Sequence, residues 1–478
     1  MAKFGKLNIQ YSMINVQFSS KKVAISVCFS LLTFNFFGQT ITQKLQKAFT
    51  AFEKDSQLKH AISSLCVIDA NTGHVVYDKN SQIGLAPAST QKIITSVTAF
   101  ELLGKDYKYK TEFGTCIDPE KSICLWINPS GDPSLGSWRW ESTKEKVLIE
   151  SILEYLNRSN LKIEGIVLNV VGWNTEQIPD GWIWQDIGNY YGVGAGKLNW
   201  RENQFDLIMK SGKAIGDQVV VVQTEPKLYS YDLRSEVRSA SKGTGDNSYI
   251  YIPSNNSSAI VRGTIPIGED RFRISGAIIK PENQLIETIT DSIKNRFKWT
   301  LKEPFIIDSP FLRTPSIFYT HYSPSLDSII YWFNKKSINL YGEALLKTFA
   351  YEKKGFGSTD SGVVIVKNFW KEKGLDKDEL NIVDGSGLSP LNRVTTHSQV
   401  EILKYAKTKD WFSYFNNSLP EYNGMSMKSG TIRGVKGFCG YHKAKNGKEY
   451  IFSFLVNNYN GSASALVNKM YRVLDYLK

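Results

Sequence analysis

A hairpin-then-helix pattern and a three-strand-then-helix pattern stand at opposite ends of this 478-residue chain, with a long stretch of different texture between them. The first runs Ser63-Ser-Leu-Cys-Val-Ile-Asp-Ala-Asn-Thr-Gly-His-Val-Val-Tyr77, two β-branched strands around an Asn-Thr-Gly turn. Pro87-Ala-Ser-Thr-Gln-Lys92 follows and opens an apolar helix in which Ile93, Val97 and Phe100 recur at helical spacing until Gly104 stops it. The last piece predicts strands near 425–432, 435–444 and 448–457, with Asn446-Gly447 as a hairpin turn and a closing helix from about 463. Helical patterns at 326–333 and 340–349 precede it. Between about 105 and 320 the texture changes to short Val/Ile/Tyr-rich runs broken by Gly, Pro, Asn and Ser. The expected fold is α+β, an antiparallel sheet flanked by helices and interrupted by a mostly β insertion of one or two domains. The expected division is a leader at 1–38, the first part of the main domain at 39–104, the insertion at 105–320 and the second part at 321–478.

Hydrophobic residues at 42% and aromatic residues at 13% exclude a largely disordered chain. The formal charge is +12, and residues 1–38 carry Lys3, Lys6, Lys21 and Lys22 without an acid, which leaves +8 for the rest. That balance suits work near an anionic envelope and does not call for nucleic acid. Lys21-Lys22 precede an apolar stretch at 23–37, of export-signal length and short of the roughly 20 residues of a membrane span. An exported protein without a stable transmembrane anchor is expected. His60, His74, His321, His397 and His442 show no i,i+4 pairing and no Cys-x-x-Cys partner, so neither a metal nor another cofactor is expected. Cys116 and Cys124 flank a turn-like sequence and either join across a hairpin or stay buried thiols, whereas Cys66 and Cys439 sit in apolar strand-like runs and read as core.

Ser89-Thr-Gln-Lys92 places a hydroxyl and an amine three residues apart at a helix start, within reach of each other on one face. The unpaired amides there can stabilise an oxyanion, and a neutral lysine can take the serine proton. Ser337-Ile-Asn339 lies in a polar break between two helices, where a hydroxyl can relay a proton and an amide can hold a carbonyl. Lys428-Ser429-Gly430-Thr431 opens a strand of the terminal hairpin, where a lysine and hydroxyls can hold a carboxylate and Gly430 admits an extended substrate backbone.

In this order the three elements match the S-x-x-K, S-D-N and K-T-G signature shared by serine β-lactamases and penicillin-binding proteins. Lys92 and Ser337 are 245 residues apart, too far for a compact β-lactamase. The chain resembles the class C low-molecular-mass penicillin-binding proteins, the D-alanyl-D-alanine carboxypeptidase/endopeptidases, in which extra domains interrupt the catalytic one. Gly131-Asp-Pro-Ser-Leu135, Gly181-Trp-Ile-Trp-Gln-Asp-Ile-Gly188 leading to Tyr191, Asn199, Glu202-Asn203 and Asp384-Gly-Ser-Gly-Leu-Ser389 with Asn392-Arg393 extend the resemblance over about 50–470. It implies a β-lactamase/transpeptidase-like catalytic domain and a periplasmic serine-type DD-peptidase acting on peptidoglycan stem peptides. In that cycle Ser89 is the nucleophile, Lys92 its base, and Ser337 and Lys428 assist proton transfer. Asn339 holds the acyl chain, the amides of Ser89 and Thr431 form the oxyanion hole, and β-lactams acylate Ser89 as substrate mimics. Two alternatives are a serine β-lactamase of the same fold and a non-catalytic envelope-binding protein.

The resemblance also implies an aspartate and an arginine that hold the diaminopimelate end of the substrate. Asp186 fits the first, but Pro390 stands at the arginine position. Arg433, two residues past Thr431, or Arg393 is the candidate replacement, against the plainer reading of Arg433 as a solvated strand residue. Plainer readings are also preferred elsewhere: Gly192-Val-Gly-Ala-Gly-Lys197 as a turn and not a phosphate loop, Trp182 and Trp184 as packing on a strand, and Thr396-His-Ser-Gln as a helix start.

Overall fold

The computed structural model describes residues 39–117, 120–229, 231–253, 258–308 and 314–478. The expected export signal at 1–38 lies outside them. Residues from Ile41 to Lys478 form one compact unit.

Its centre is an antiparallel sheet that draws strands from both ends of the chain. Strands β1 (Ile62–Asp69) and β2 (Val75–Lys79) come from the start, and β3 (Met425–Ile432), β4 (Val435–Lys443) and β5 (Glu449–Asn457) from the end. Their order is β3-β4-β5-β1-β2, with the two-residue strand Glu421–Tyr422 beside the first turn of β3. β1 pairs with β5 along its whole length, Ile62 opposite Asn457 and Asp69 opposite Tyr450, which closes the two terminal pieces into one sheet. Period-two alternation gives the sheet two apolar faces. Leu65, Val67, Met425, Met427, Phe452 and Phe454 pack under helices α1 (Ile41–Glu53) and α6 (Ala463–Leu474). Cys66, Ile68, Cys439, Ile451 and Leu455 face α2 (Lys92–Leu103) and α5 (Thr396–Lys407), with α3 (Leu326–Lys335) and α4 (Asn339–Lys354) behind α2. α2 lies between layers and is buried from Lys92 to Phe100, its polar Lys92, Thr95, Ser96 and Thr98 satisfied by hydrogen bonds.

The insertion leaves and re-enters this body at one place. Strand Lys110–Ile117 pairs antiparallel with strand Ser316–Tyr322, and the backbone amides of Ser323 and Leu326 donate to the carbonyls of Tyr109 and Tyr107. A long excursion closed by its own first and last strands can be large without disturbing the sheet that it interrupts. Among the described residues it holds three sheets: five strands around 110–128 and 316–322, three around 204–210, and four around 258–266. Helices Glu145–Ser159 and Pro281–Phe297 pack on the first through Leu148, Ile152, Leu285, Ile289 and Ile293. Cys116 and Cys124 are directly opposite in a hairpin of that sheet and are joined as a disulfide, Cα atoms 5.1 Å apart. Cys66 and Cys439 are free and buried. Among the described residues no helix is long and apolar enough to cross a membrane.

Candidate active site

Ser89 lies in a short 3-10 turn, Ala88–Gln91, that runs directly into α2. Two glycine-bearing segments press on the turn. A Cβ on Gly430 of β3 would stand 2.6 Å from the Pro87 carbonyl oxygen and 3.0 Å from the Ser89 amide nitrogen. A Cβ on Gly387, whose φ is +82°, would stand 2.0 Å from the Ala88 carbonyl oxygen. Only glycine permits either approach.

One turn on, the Lys92 side chain is fully buried and reaches back to the serine. Its ammonium nitrogen lies 3.0 Å from Ser89 Oγ, 2.6 Å from Asn339 Oδ1 and 2.8 Å from the Ser386 carbonyl. Burial, and after it the positive charge of Lys428, holds Lys92 well below the usual lysine range, against the pull of Asp384 and Glu343. Ser337 sits just before α4 with φ +57°, and its Oγ accepts from Lys428 Nζ at 3.1 Å. Lys428 also donates to the Ser429 carbonyl, and burial pulls its ammonium down to about 7. Thus Ser89, Lys92, Ser337, Asn339, Lys428 and Gly430, taken from three distant stretches, stand around one point. Neutral lysine beside a serine hydroxyl at a helix start is an arrangement for proton abstraction and acyl transfer.

The Asp384-Gly-Ser-Gly segment braces this centre from behind. The buried Asp384 carboxylate accepts from Gln91 Nε2, Trp182 Nε1, Asn392 Nδ2 and the amides of Gly387 and Ser389. Trp182 is therefore a buried brace, while Trp184 lies in the short helix Trp184–Ile187, exposed, with its indole on the Ile252 carbonyl. Neither is on a strand, because Gly181 at φ +80° turns the chain against Ser389 and Leu391.

The insertion reaches the site at two points. Asn339 Nδ2 donates to the Tyr191 carbonyl at 2.7 Å, and the Tyr191 hydroxyl stands 3.4 Å from Asp186 Oδ1. Asp186 is half-buried, and burial raises its pKa. The second point is Glu202, fully buried, which accepts from Ser137 Oγ, from both Arg139 Nε and Nη2, and from the Tyr341 hydroxyl on α4. The backbone around it is strained, with Arg201, Glu202 and Asn203 all at φ between 51° and 54°. Arg139 and Tyr341 as partners of Glu202 escaped the sequence reading, since no local spacing links 139, 202 and 341.

Arg433 is not on the strand face: β3 ends at Ile432, and Arg433-Gly434 form the turn to β4, so period-two alternation does not carry from Thr431 to it. Arg393 donates to the carbonyls of Pro390 and Asn392. His397 is in the first turn of α5, paired with Glu379, and Thr395 caps that helix. Segment 192–197 is a packed loop whose Ala195 carbonyl accepts from Lys347. Among the described residues no group of three or more His, Cys, Asp or Glu could hold a metal.

A helix-flanked antiparallel sheet with this serine and lysine at its buried helix start defines a serine acyl-transfer fold of the β-lactamase/transpeptidase class. Residues 45–421 match the D-Ala-D-Ala carboxypeptidase 3 (S13) family, and the chain belongs to it, a serine-type enzyme among the class C low-molecular-mass penicillin-binding proteins. It is 24% identical over 460 residues to a D-alanyl-D-alanine carboxypeptidase of an Actinomadura species, covering 90% of this chain and 84% of the relative. Identity is 22% over 462 residues to a D-alanyl-D-alanine carboxypeptidase DacB of Haemophilus influenzae, with 91% of each covered. The fold matches the crystal structure of penicillin binding protein 4 from H. influenzae with a TM-score of 0.75 at 18% identity, over 91% of this chain and 99% of that one.

Proposed function

We propose that Ser89 is the nucleophile of a DD-peptidase that cleaves the terminal D-Ala-D-Ala bond of peptidoglycan stem peptides and the D-Ala–diaminopimelate cross-link. The observation that carries this is the Lys92 ammonium nitrogen, held between Ser89 Oγ and Asn339 Oδ1 at 3.0 and 2.6 Å. Neutral Lys92 takes the Ser89 proton as Oγ attacks the carbonyl, and the amides of Ser89 and Thr431 receive the oxyanion. Lys428 passes a proton through Ser337 to the departing amine, and D-alanine leaves. The proton now on Lys92 replaces the one that Lys428 gave up, and water then releases the shortened peptide as Lys92 takes a proton from the water and returns one to Ser89 Oγ. Asn339 holds the acyl chain, the hydroxyls of Ser429 and Thr431 take the substrate carboxylate, and Asp186 takes an ammonium group at the far end of the stem. β-Lactams acylate Ser89.

Periplasmic action behind an N-terminal export signal agrees with the Cys116–Cys124 disulfide, which belongs to an oxidising compartment. The test is paired: D-alanine release from a stem pentapeptide, and labelling by fluorescent penicillin, both lost in Ser89→Ala. Rapid penicillin turnover without D-alanine release would make the protein a β-lactamase instead. Binding without label would leave an envelope-binding protein.

A further inference from the structure

Among the described residues, one cation beside the site has no carboxylate to answer it. Lys436 stands on β4 directly opposite Thr431 of β3. Its Nζ donates to the Thr431 hydroxyl at 2.8 Å and lies 4.8 Å from the centre of the Phe438 ring. The ammonium is shielded enough that burial pulls it down to about 8, and no carboxylate among the described residues is close enough to pull it back. It is near enough to Lys428 to depress that lysine as well. Two desolvated lysines on paired strands, each lowering the other's affinity for a proton, cost the fold stability unless an anion comes to them. The geometry fixes where that anion sits. Directly opposed residues on an antiparallel pair share a face with their Cβ atoms about 5 Å apart, so Lys436 and Thr431 converge on the same space. The tight turn through Arg433-Gly434 sets this register.

We propose that Lys436 is a second carboxylate-binding cation of the site, which with Thr431 grips the free α-carboxylate of the departing D-amino acid. It rests on the DD-peptidase reading and deepens it. The enzyme thereby selects stems, cross-links and β-lactams that carry that carboxylate, and Lys428 is freed for proton transfer. Lys436 lies outside every motif in the sequence because only strand pairing brings it to Thr431.

The test compares second-order acylation rates for benzylpenicillin and its methyl ester in wild type, Lys436→Gln, Lys436→Met and Lys436→Arg. The ratio of acid to ester rates should fall about tenfold or more in the Gln and Met variants, the size of a charge-assisted hydrogen bond. The Arg variant should stay within threefold of wild type. A ratio within threefold of wild type in both neutral variants overturns the proposal. Equal loss in Arg and Gln overturns it too, since it would mark a packing role. Reaction of a variant with the ester reports that it is folded. Failure of the DD-peptidase reading looks different: the wild type itself would react with neither compound and release no D-alanine.

Discussion

Lys92 Nζ touches Ser89 Oγ at 3.0 Å while its other two hydrogen bonds, to Asn339 Oδ1 and the Ser386 carbonyl, come from the far side of the insertion in sequence. Lys92 is thus positioned by residues that reach it only when the whole chain has folded.

A bell-shaped pH profile follows for acylation. Lys92 works as a base only when neutral, and burial with the nearby Lys428 charge brings that form within reach by lowering its pKa. As pH falls through that lowered value Lys92 takes a proton and the rate drops. Lys428, held at about 7, must carry the proton that it delivers, so the rate drops again as pH rises past that value. Stopped-flow acylation by a chromogenic cephalosporin measures both limbs. Lys92→Met should lose about 10²–10⁴ in rate. A rate that climbs steadily to high pH would remove Lys428 from the proton path.

Lys428 should also destabilise the fold that it serves. Its pKa is about 7 when folded against the usual 10.5 of a free lysine, so between those values the unfolded chain binds more protons and stability rises with pH. At pH 7 nearly the full cost is present, on the order of 4 kcal/mol. Lys428→Met should be more stable than wild type at pH 7 by roughly 1–3 kcal/mol, since the hydrogen bonds to Ser337 and Ser429 are lost with the charge. The gap should narrow as pH rises toward 10. Urea unfolding at several pH values decides it, and a pH-independent gap would contradict the assignment.

Much of this was legible before the structure, and for a physical reason. Ser89 and Lys92 are one helical turn apart, and residues 428–431 share one strand, so local periodicity reports their neighbourhood. Ser63–Tyr77 read as a hairpin because β-branched residues and Asn-Thr-Gly are local signals. What stayed hidden depends on pairing between distant segments. Lys436 faces Thr431 only through the register of β3 and β4, and Asp384 meets Trp182 only when the insertion folds back. The expected strand-face position of Arg433 fails because alternation stops at Ile432, where the turn Arg433-Gly434, with Gly434 at φ +72°, begins. The helices Glu145–Ser159 and Pro281–Phe297 carried clear four-residue spacing, as in Leu285, Ile289 and Ile293, but were submerged in the β texture around them.

Gly430→Ala tests how closely the strand must approach the serine. The added methyl would sit 2.6 Å from the Pro87 carbonyl and 2.9 Å from the Thr90 amide nitrogen, both backbone atoms that cannot step aside singly. β3 must therefore move off the turn and carry Thr431 with it. Displacement of about 1 Å at a reacting centre costs about 10² in rate. Acylation should fall by that factor at temperatures where circular dichroism shows the variant fully folded. An unchanged rate would mean that the turn, and not the strand, gives way.

The contact between Glu202 and Tyr341 tests whether the insertion is part of the catalytic machinery. Tyr341 is two residues into α4, the helix that begins at Asn339, and its hydroxyl donates to Glu202 Oε1 at 2.8 Å. Glu202 is also the partner of Arg139, whose side chain is only 15% exposed. Removing the carboxylate leaves a largely buried guanidinium unpaired and the Tyr341 hydroxyl without an acceptor. Glu202→Ala should therefore cost about 3–5 kcal/mol, whereas Tyr341→Phe, which leaves the ion pair intact, should cost about 1–3 kcal/mol. The two should also differ from an ordinary core lesion in what they do to the reaction. Loosening the first turn of α4 moves Asn339, and with it Lys92, so penicillin acylation should slow at least tenfold in Glu202→Ala at temperatures where the protein is still fully folded. Circular dichroism and acylation rate, followed together from 10 to 40 °C on the same samples, separate the effects. A variant that melts earlier yet acylates at the wild-type rate until it melts would show that the insertion only supports the fold. Slowing well below the melting transition would show that the insertion sets the geometry of the base.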